Sequence, residues 1–109
     1  MAFDLQQLKH LVDRHGRVAR IVITDVRGST PRTVGTEMFI WDTGQDGTIG
    51  GGALEYQVTS KARQALTEHL IWSQTYPLGP NLGQCCGGSV GILCEVFDHA
   101  NLPTVSTDV

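Results

Sequence analysis

The stretch Val18-Ala-Arg-Ile-Val-Ile-Thr-Asp-Val26 decides the fold. β-Branched residues dominate it, and a run of this length reads as a buried β-strand. Ahead of it, Leu5, Leu8, Leu11 and Val12 recur at helical spacing. Asp4 is placed as an N-cap and Gly16 as a stop, with Lys9, Arg14 and His15 favouring the C-terminal end of the dipole. The spacing predicts an amphipathic helix over about residues 4–15. Behind the strand, Gly28-Ser-Thr-Pro-Arg32 breaks the pattern, and Glu37 to Asp42 reads as a second strand. Thr43-Gly-Gln-Asp-Gly47 is expected to turn the chain into a short strand around Thr48 and Ile49.

Gly50-Gly-Gly52 opens a strong helix, in which Leu54, Val58, Ala62, Ala65, Leu66 and Leu70 form one apolar stripe. Ile71 to Tyr76 reads as a strand and Pro77 to Gly88 as a loop. Val90, Ile92, Cys94 and Val96 alternate with Gly91, Leu93, Glu95 and Phe97, the pattern of a final strand. From Asp98 the chain is polar and unpatterned. The order α-β-β-β-α-β-β implies an α+β fold. It is read as a single small domain, a mixed sheet of about five strands with two amphipathic helices packed on it.

Composition narrows the function classes. A chain of 109 residues has room for one domain with one core. An apolar fraction of 40% and a mean hydropathy of -0.07 are those of a soluble globular protein. No apolar run approaches the roughly 18 residues of a membrane span, and the N-terminus lacks the basic start of a signal peptide. A net charge of -3 gives no general nucleic-acid footprint. Three cysteines, two of them adjacent, make no disulfide framework, so the expected compartment is the reducing cytoplasm.

Three glycine-punctuated loops are suited to chemistry. Arg27-Gly-Ser-Thr-Pro-Arg32 offers hydroxyls at Ser29 and Thr30 and a guanidinium at Arg32, a set for binding an oxyanion, or else an ordinary surface turn. Ile49-Gly-Gly-Gly-Ala-Leu-Glu55 places Gly50, Gly51 and Gly52 at a helix N-terminus, where free amides and the dipole favour an anion. It matches neither a Walker A loop nor a dinucleotide fingerprint. Glu55 either complements the dipole or contacts a ligand's amino groups. Leu78-Gly-Pro-Asn-Leu-Gly-Gln-Cys-Cys-Gly-Gly88 sets two thiols, Cys85 and Cys86, in a glycine-rich turn, placed for thiolate chemistry, for metal contact or as inert thiols.

Adjacent cysteines and scattered histidines (His10, His15, His69, His99) do not make a structural zinc site, and the spacing is wrong for a thioredoxin-type pair. A Cys-His catalytic pair stays open. Cys94, on a strand face, reads as a core residue.

Taken in order, Gly28-Ser-Thr-Pro-Arg32, Gly35 and Met38, Ile49-Gly-Gly-Gly52 with Glu55, and Leu78-Gly-Pro with Gly83-Gln-Cys-Cys-Gly-Gly88 resemble the N-terminal domain of the xanthine dehydrogenase accessory protein family, XdhC/CoxI. The resemblance runs from about residue 18 to 97. It implies a cytoplasmic cofactor chaperone and not a turnover enzyme. Such a protein binds molybdenum cofactor (molybdopterin) as a transferred ligand. It helps the cofactor receive its sulfido ligand from a cysteine desulfurase and passes it to a molybdenum hydroxylase apoenzyme such as xanthine or carbon monoxide dehydrogenase. The candidate binding residues are then Ser29, Thr30, Arg32, Gly50, Gly51, Gly52, Glu55, Gln84, Cys85, Cys86, Gly87 and Gly88. The phosphate would sit at Gly50–Gly52 or Arg32, and the pterin nitrogens at Glu55 and Gln84. Cys85 and Cys86 would lie near molybdenum or relay sulfur.

The family's usual second, Rossmann-like domain has no counterpart in this sequence; residues 1–97 are expected to form the domain and 98–109 a polar tail. Trp41 and Trp72 are candidates for a docking surface or for core, and a homodimer fits the same reasoning. The rival reading is a small sulfurtransferase acting through a persulfide on Cys85 or Cys86.

Overall fold

The structure, a computed structural model, describes residues 4–28, 32–78 and 88–102. Two helices, α1 (Leu5–His15) and α2 (Gly52–Glu68), accompany five strands: β1 (Val18–Arg27), β2 (Glu37–Trp41), β3 (Gly44–Asp46), β4 (Trp72–Leu78) and β5 (Gly88–Phe97). The strands form one open sheet in the order β3-β2-β1-β5-β4, with β1 at its centre. All four pairings are antiparallel. The α+β class is as expected, while the mixed sheet is corrected. The α2 crossover joins β3 and β4, which lie at opposite edges and never pair, so the βαβ connection that would place parallel strands side by side does not arise.

Alternation along the strands separates two cores. Ala19, Ile21 and Ile23 of β1, Met38 and Ile40 of β2, and Val90, Ile92, Cys94 and Val96 of β5 pack against Leu54, Val58, Ala62, Ala65 and Leu66 of α2. Val18, Phe39 and Phe97, one step out of phase, pack with Leu8, Leu11 and Val12 of α1. Successive strand side chains point to opposite faces, so the two helices cover opposite sides of the sheet. On the α1 side Arg20 Nε reaches Glu37 Oε2 at 2.7 Å, and its Nη1 lies 3.7 Å from Glu95 Oε1. The Asp4 amide donates to the same Glu37 at 3.1 Å, tying the start of α1 to β2.

The ends of α1 follow from local sequence. The Asp4 side chain accepts from the Gln7 amide, and Gly16, at φ +87°, donates to the Val12 carbonyl. Helix α2 ends at Glu68, two residues short of the end of its apolar stripe. His69 turns left-handed (φ 56°, ψ 48°) and the Leu70 amide closes on the Ala65 carbonyl, so Leu70 stands outside the helix and is 47% exposed. The short strand expected at Thr48 and Ile49 is corrected as well. The β-hairpin turns at Asp42 and Thr43, and β3 occupies Gly44–Asp46 against β2. Gly47 then leaves the sheet at φ +88°, and the Ile49 amide bonds a side chain in place of a strand.

Strand β1 carries one residue more than its partner. Ile23 opposes Ile92 and Asp25 opposes Gly91, leaving Thr24 as a bulge. A Cβ on Gly91 would lie 3.0 Å from the Thr24 hydroxyl and 3.2 Å from Asp25 Cβ, so the bulge needs a glycine opposite it. Trp41 is half-buried, stacks on His15 with ring centroids 4.2 Å apart, and joins the α1 core. Trp72 packs against the α2 core with Lys61 Nζ 4.4 Å above its ring. No helix among the described residues is long and apolar enough to cross a membrane.

Candidate functional site

The register sends all three glycine-rich segments off the sheet in the same direction, at different levels. Strand β1 runs on to Arg27, opposite Ser89, and β4 and β5 meet at the pair Leu78–Gly88. Strand β2 starts lower, at Glu37 opposite Val22, and β3 ends at Asp46, level with Arg20. The roots of the first and third segments touch. A Cβ on Gly28 would lie 2.7 Å from Gly88 Cα, and one on Gly88 would lie 2.6 Å from the Arg27 carbonyl. Only glycine permits this approach, and Gly28 holds φ +79° besides.

Between the first two segments lies a cleft of about 300 Å3, lined by Ile23, Arg32, Thr33, Thr36, Thr48, Ile49 and Gly50. Segment 32–36 is held over β1 by two backbone bonds, Ile23 amide to Thr36 carbonyl (2.9 Å) and Gly35 amide to Ile23 carbonyl (2.8 Å). Arg32 reaches across: Nε donates to the Ile49 carbonyl at 3.1 Å and Nη2 toward the Gly51 carbonyl at 3.5 Å. Its guanidinium lies against Gly50, where a Cβ would sit 3.1–3.3 Å from Nε, Cζ and Nη2.

Glu55 binds the same turn. Its Oε1 accepts from the amides of Ile49 and Gly51, both at 3.0 Å, and from the Thr48 hydroxyl; its Oε2 accepts from Gln45 Nε2 at 3.1 Å. The Gly50 amide donates to the Thr48 hydroxyl at 3.1 Å. Burial alone would raise the Glu55 carboxyl, but the bonds from Thr48, Ile49, Gly51 and Gln45 outweigh it and hold the group below the usual glutamate range. The free amides expected at Gly50 and Gly51 are therefore corrected: the chain's own carboxylate and a threonine hydroxyl occupy them. Gly52, the first helical residue, is exposed.

Of the residues singled out from sequence, the structure brings together Arg32, Gly50, Gly51, Gly52 and Glu55, with Gly88 rooted beside Gly28. Ser29, Thr30, Gln84, Cys85, Cys86 and Gly87 lie outside the described residues. Thr33, Thr36, Thr48 and Gln45 were not singled out; their one sequence signal is that hydroxyl and amide side chains flank the quoted loops. Cys94 is fully buried, and burial pushes its thiol up to about 12, with Glu95 adding to the shift. Among the described residues no group of three or more His, Cys, Asp or Glu is placed to hold a metal ion. His99 pairs with Asp13 at 2.8 Å and His69 with Asp98 at 3.4 Å, both away from this end of the sheet.

The model of the XdhC and CoxI family matches residues 11–73, a span that includes Arg32, the cleft and Glu55. The chain belongs to the XdhC and CoxI family. Its fold is also similar to a crystal structure of a xanthine dehydrogenase from Bacillus halodurans, with a TM-score of 0.72 and 28% sequence identity. That similarity covers 90% of this chain and 31% of that one, so this XdhC/CoxI chain spans less than a third of its neighbour's length. No curated protein matches it.

Proposed function

We propose that this XdhC/CoxI chain is the cofactor-binding part of an accessory protein for molybdenum enzymes. In this reading it receives molybdenum cofactor as cargo, supports its sulfuration by a cysteine desulfurase, and passes it to a hydroxylase apoenzyme such as xanthine or carbon monoxide dehydrogenase. The reading has the chain act in the cytoplasm and places the binding domain within residues 1–97, with a polar tail after it. It is a carrier and not a turnover enzyme.

One observation carries the reading. Two of the segments that resemble the family's motifs, far apart in sequence, meet across a cleft sized for a small organic molecule, and the third is rooted where Gly88 touches Gly28. Family membership and the Bacillus halodurans neighbour support a role around molybdenum hydroxylases. In the proposed site Arg32 and the hydroxyls of Ser29 and Thr30 bind the cargo's polar groups, with Gln84 and the backbone of Gly87 and Gly88 beside them. Gly50, Gly51, Gly52 and Glu55 shape the wall. Cys85 and Cys86 serve as soft donors near molybdenum or as a sulfur relay.

The test is anaerobic incubation of the chain with molybdenum cofactor, followed by metal and pterin analysis of the protein fraction. Near-stoichiometric retention, lost in Cys85→Ser/Cys86→Ser, is the expected result. No retention by the wild-type chain overturns the reading. Turnover of a small sulfur donor without retention assigns the chain to the sulfurtransferases instead.

A further inference from the structure

The two edges of the sheet are defended unequally. Strand β3 is three residues long and carries Asp46, with Asp42 in the turn before it. Strand β4 is seven residues long, and no Asp, Glu, Lys or Arg occurs from Leu70 to Leu78. A long uncharged edge invites pairing with another strand, and proteins normally break such edges with charge, a bulge or a cover. Lys61 reaches β4 from α2, where it stands over the Trp72 ring and donates to Gln74 Oε1. Ile71, just ahead of the strand, is 68% exposed.

The ladder fixes which peptide groups of β4 face outward. Ile23 exchanges its backbone bonds with segment 35–36, on the β2 side. Alternate residues of an antiparallel strand bond to opposite neighbours, so Val22 bonds toward β5, where Leu93 opposes it. Leu93 thus points to β1. Val90, Ile92 and Cys94, out of phase with it, bond to Tyr76, Gln74 and Trp72 of β4. The outward set on β4 is Ser73, Thr75 and Pro77, all three exposed. Pro77, which has no N–H, falls where the sheet needs none. The amides of Ser73 and Thr75 and the carbonyls of all three have no partner among the described residues.

We propose that β4 pairs with β4 of a second copy, antiparallel about a two-fold axis at Gln74, joining two five-stranded sheets into one of ten. In this register Ser73 faces Thr75 of the second copy and Thr75 faces its Ser73, so the two outward sets meet and exchange four backbone bonds. Ile71 faces Pro77 at both ends, apolar against apolar, and the missing proline N–H falls at the margin. Trp72 faces Tyr76, and no like charges oppose each other along the strands. The edge is complementary to itself, which is what an isologous contact requires and what commits it to a second copy. Helix α2 lies over β1 and β2, leaving the space beside β4 open. The short acidic β3 edge takes no part, so pairing closes at two copies. The Leu78 ends, where the cysteine segments depart, then lie about 27 Å apart along the strands, and each copy keeps its own cleft. This inference is independent of the cofactor reading.

The experiment is sedimentation of the chain over a wide range of concentration, in which a monomer–dimer equilibrium is expected. Thr75→Pro removes an outward amide and costs no bond to β5. Ser73→Lys/Thr75→Lys sets like charges directly opposite each other. Each is expected to weaken dimerisation about tenfold or more, with the circular dichroism unchanged. In a Cys85→Ser/Cys86→Ser background, Gln74→Cys is expected to give a covalent dimer on oxidation, since residues on the axis lie about 4.5 Å apart. Amide exchange at Ser73 and Thr75 should slow as wild-type concentration rises, a readout that needs no variant to fold. A monomer at every concentration, dimerisation unchanged in both variants, or a dimer that Gln74→Cys does not cross-link overturns the inference. So does protection of Ser73 and Thr75 that ignores concentration, which would mean that the same chain covers its own edge.

Discussion

Arg32 and Glu55 grip the same two residues. Arg32 takes the carbonyls of Ile49 and Gly51, and Glu55 takes their amides. Two side chains of opposite charge, one from the loop after β1 and one from the first turn of α2, are thereby coupled through shared peptide groups. Removing either loosens the turn for the other. A double-mutant cycle with Arg32→Ala and Glu55→Ala should show a coupling of about 0.5–3 kcal/mol by urea unfolding. Additivity would show that the two act independently.

Glu55→Ala alone strands the Ile49 amide, whose residue is 2% exposed, and should cost about 1–3 kcal/mol. Glu55→Gln keeps an acceptor and should cost less. Amide exchange at Ile49 and Gly51 should accelerate in both, more in the alanine variant. Equal exchange in the two variants would mean that the carboxylate's bonds do not hold the turn.

The turn should also respond to acid. The folded Glu55 carboxyl titrates below its unfolded value, so its contribution is fully present above the unfolded glutamate range, about pH 4.3. It is lost as pH falls through the lower folded value. Wild-type stability should therefore fall relative to Glu55→Gln below about pH 4.3, with no difference in slope between pH 6 and 8. Parallel acid profiles would contradict this.

The Gly28–Gly88 approach predicts an asymmetry between glycines. Gly16 holds φ +87° in open space, whereas Gly28 holds φ +79° with Gly88 Cα 2.7 Å from where a Cβ would go. Gly16→Ala should cost only the left-handed strain, about 1–2 kcal/mol. Gly28→Ala should add about 1–3 kcal/mol of overpacking and weaken cofactor retention. Thermal unfolding of the two variants checks the difference.

Cys94 should be silent in thiol chemistry. At pH 8 the native chain should leave Cys94 unalkylated by iodoacetamide, as read by peptide mass spectrometry, and label it only on unfolding, because burial holds the thiol at about 12. Labelling at the rate of a free thiol would place it outside the core.

The parts legible in sequence are those with local causes. Asp4 and Gly16 bound α1, and the alternation Val90, Ile92, Cys94, Val96 marks the face of β5 that meets α2. Strand direction was not legible, because it depends on which strands α2 joins and no local pattern records that. The placement of β3 failed for a related reason: Thr48 and Ile49 have strand propensity, but Glu55, six residues beyond Ile49, claims the Ile49 amide. At the proposed site, the glycine loops named the turn that Arg32 and Glu55 hold. Their occupancy was hidden, since sequence shows that amides exist and not what already binds them. Thr33 and Thr36 gave no signal, because they come together with Ile49 only around a cleft that the folded chain creates.

The bulge at Thr24 fixes the length of β1. Before it, Ala19, Ile21 and Ile23 face α2; after it, Val26 does. Without this one residue the order Ile23, Asp25, Val26, Arg27 would run straight along Ile92, Gly91, Val90 and Ser89, with Val26 still facing α2 and Gly28 still beside Gly88. Substitution at Thr24, an exposed position, should be cheap. Its removal should keep the register and take away only the local bend, so Thr24 is a place where this strand can absorb a change of count.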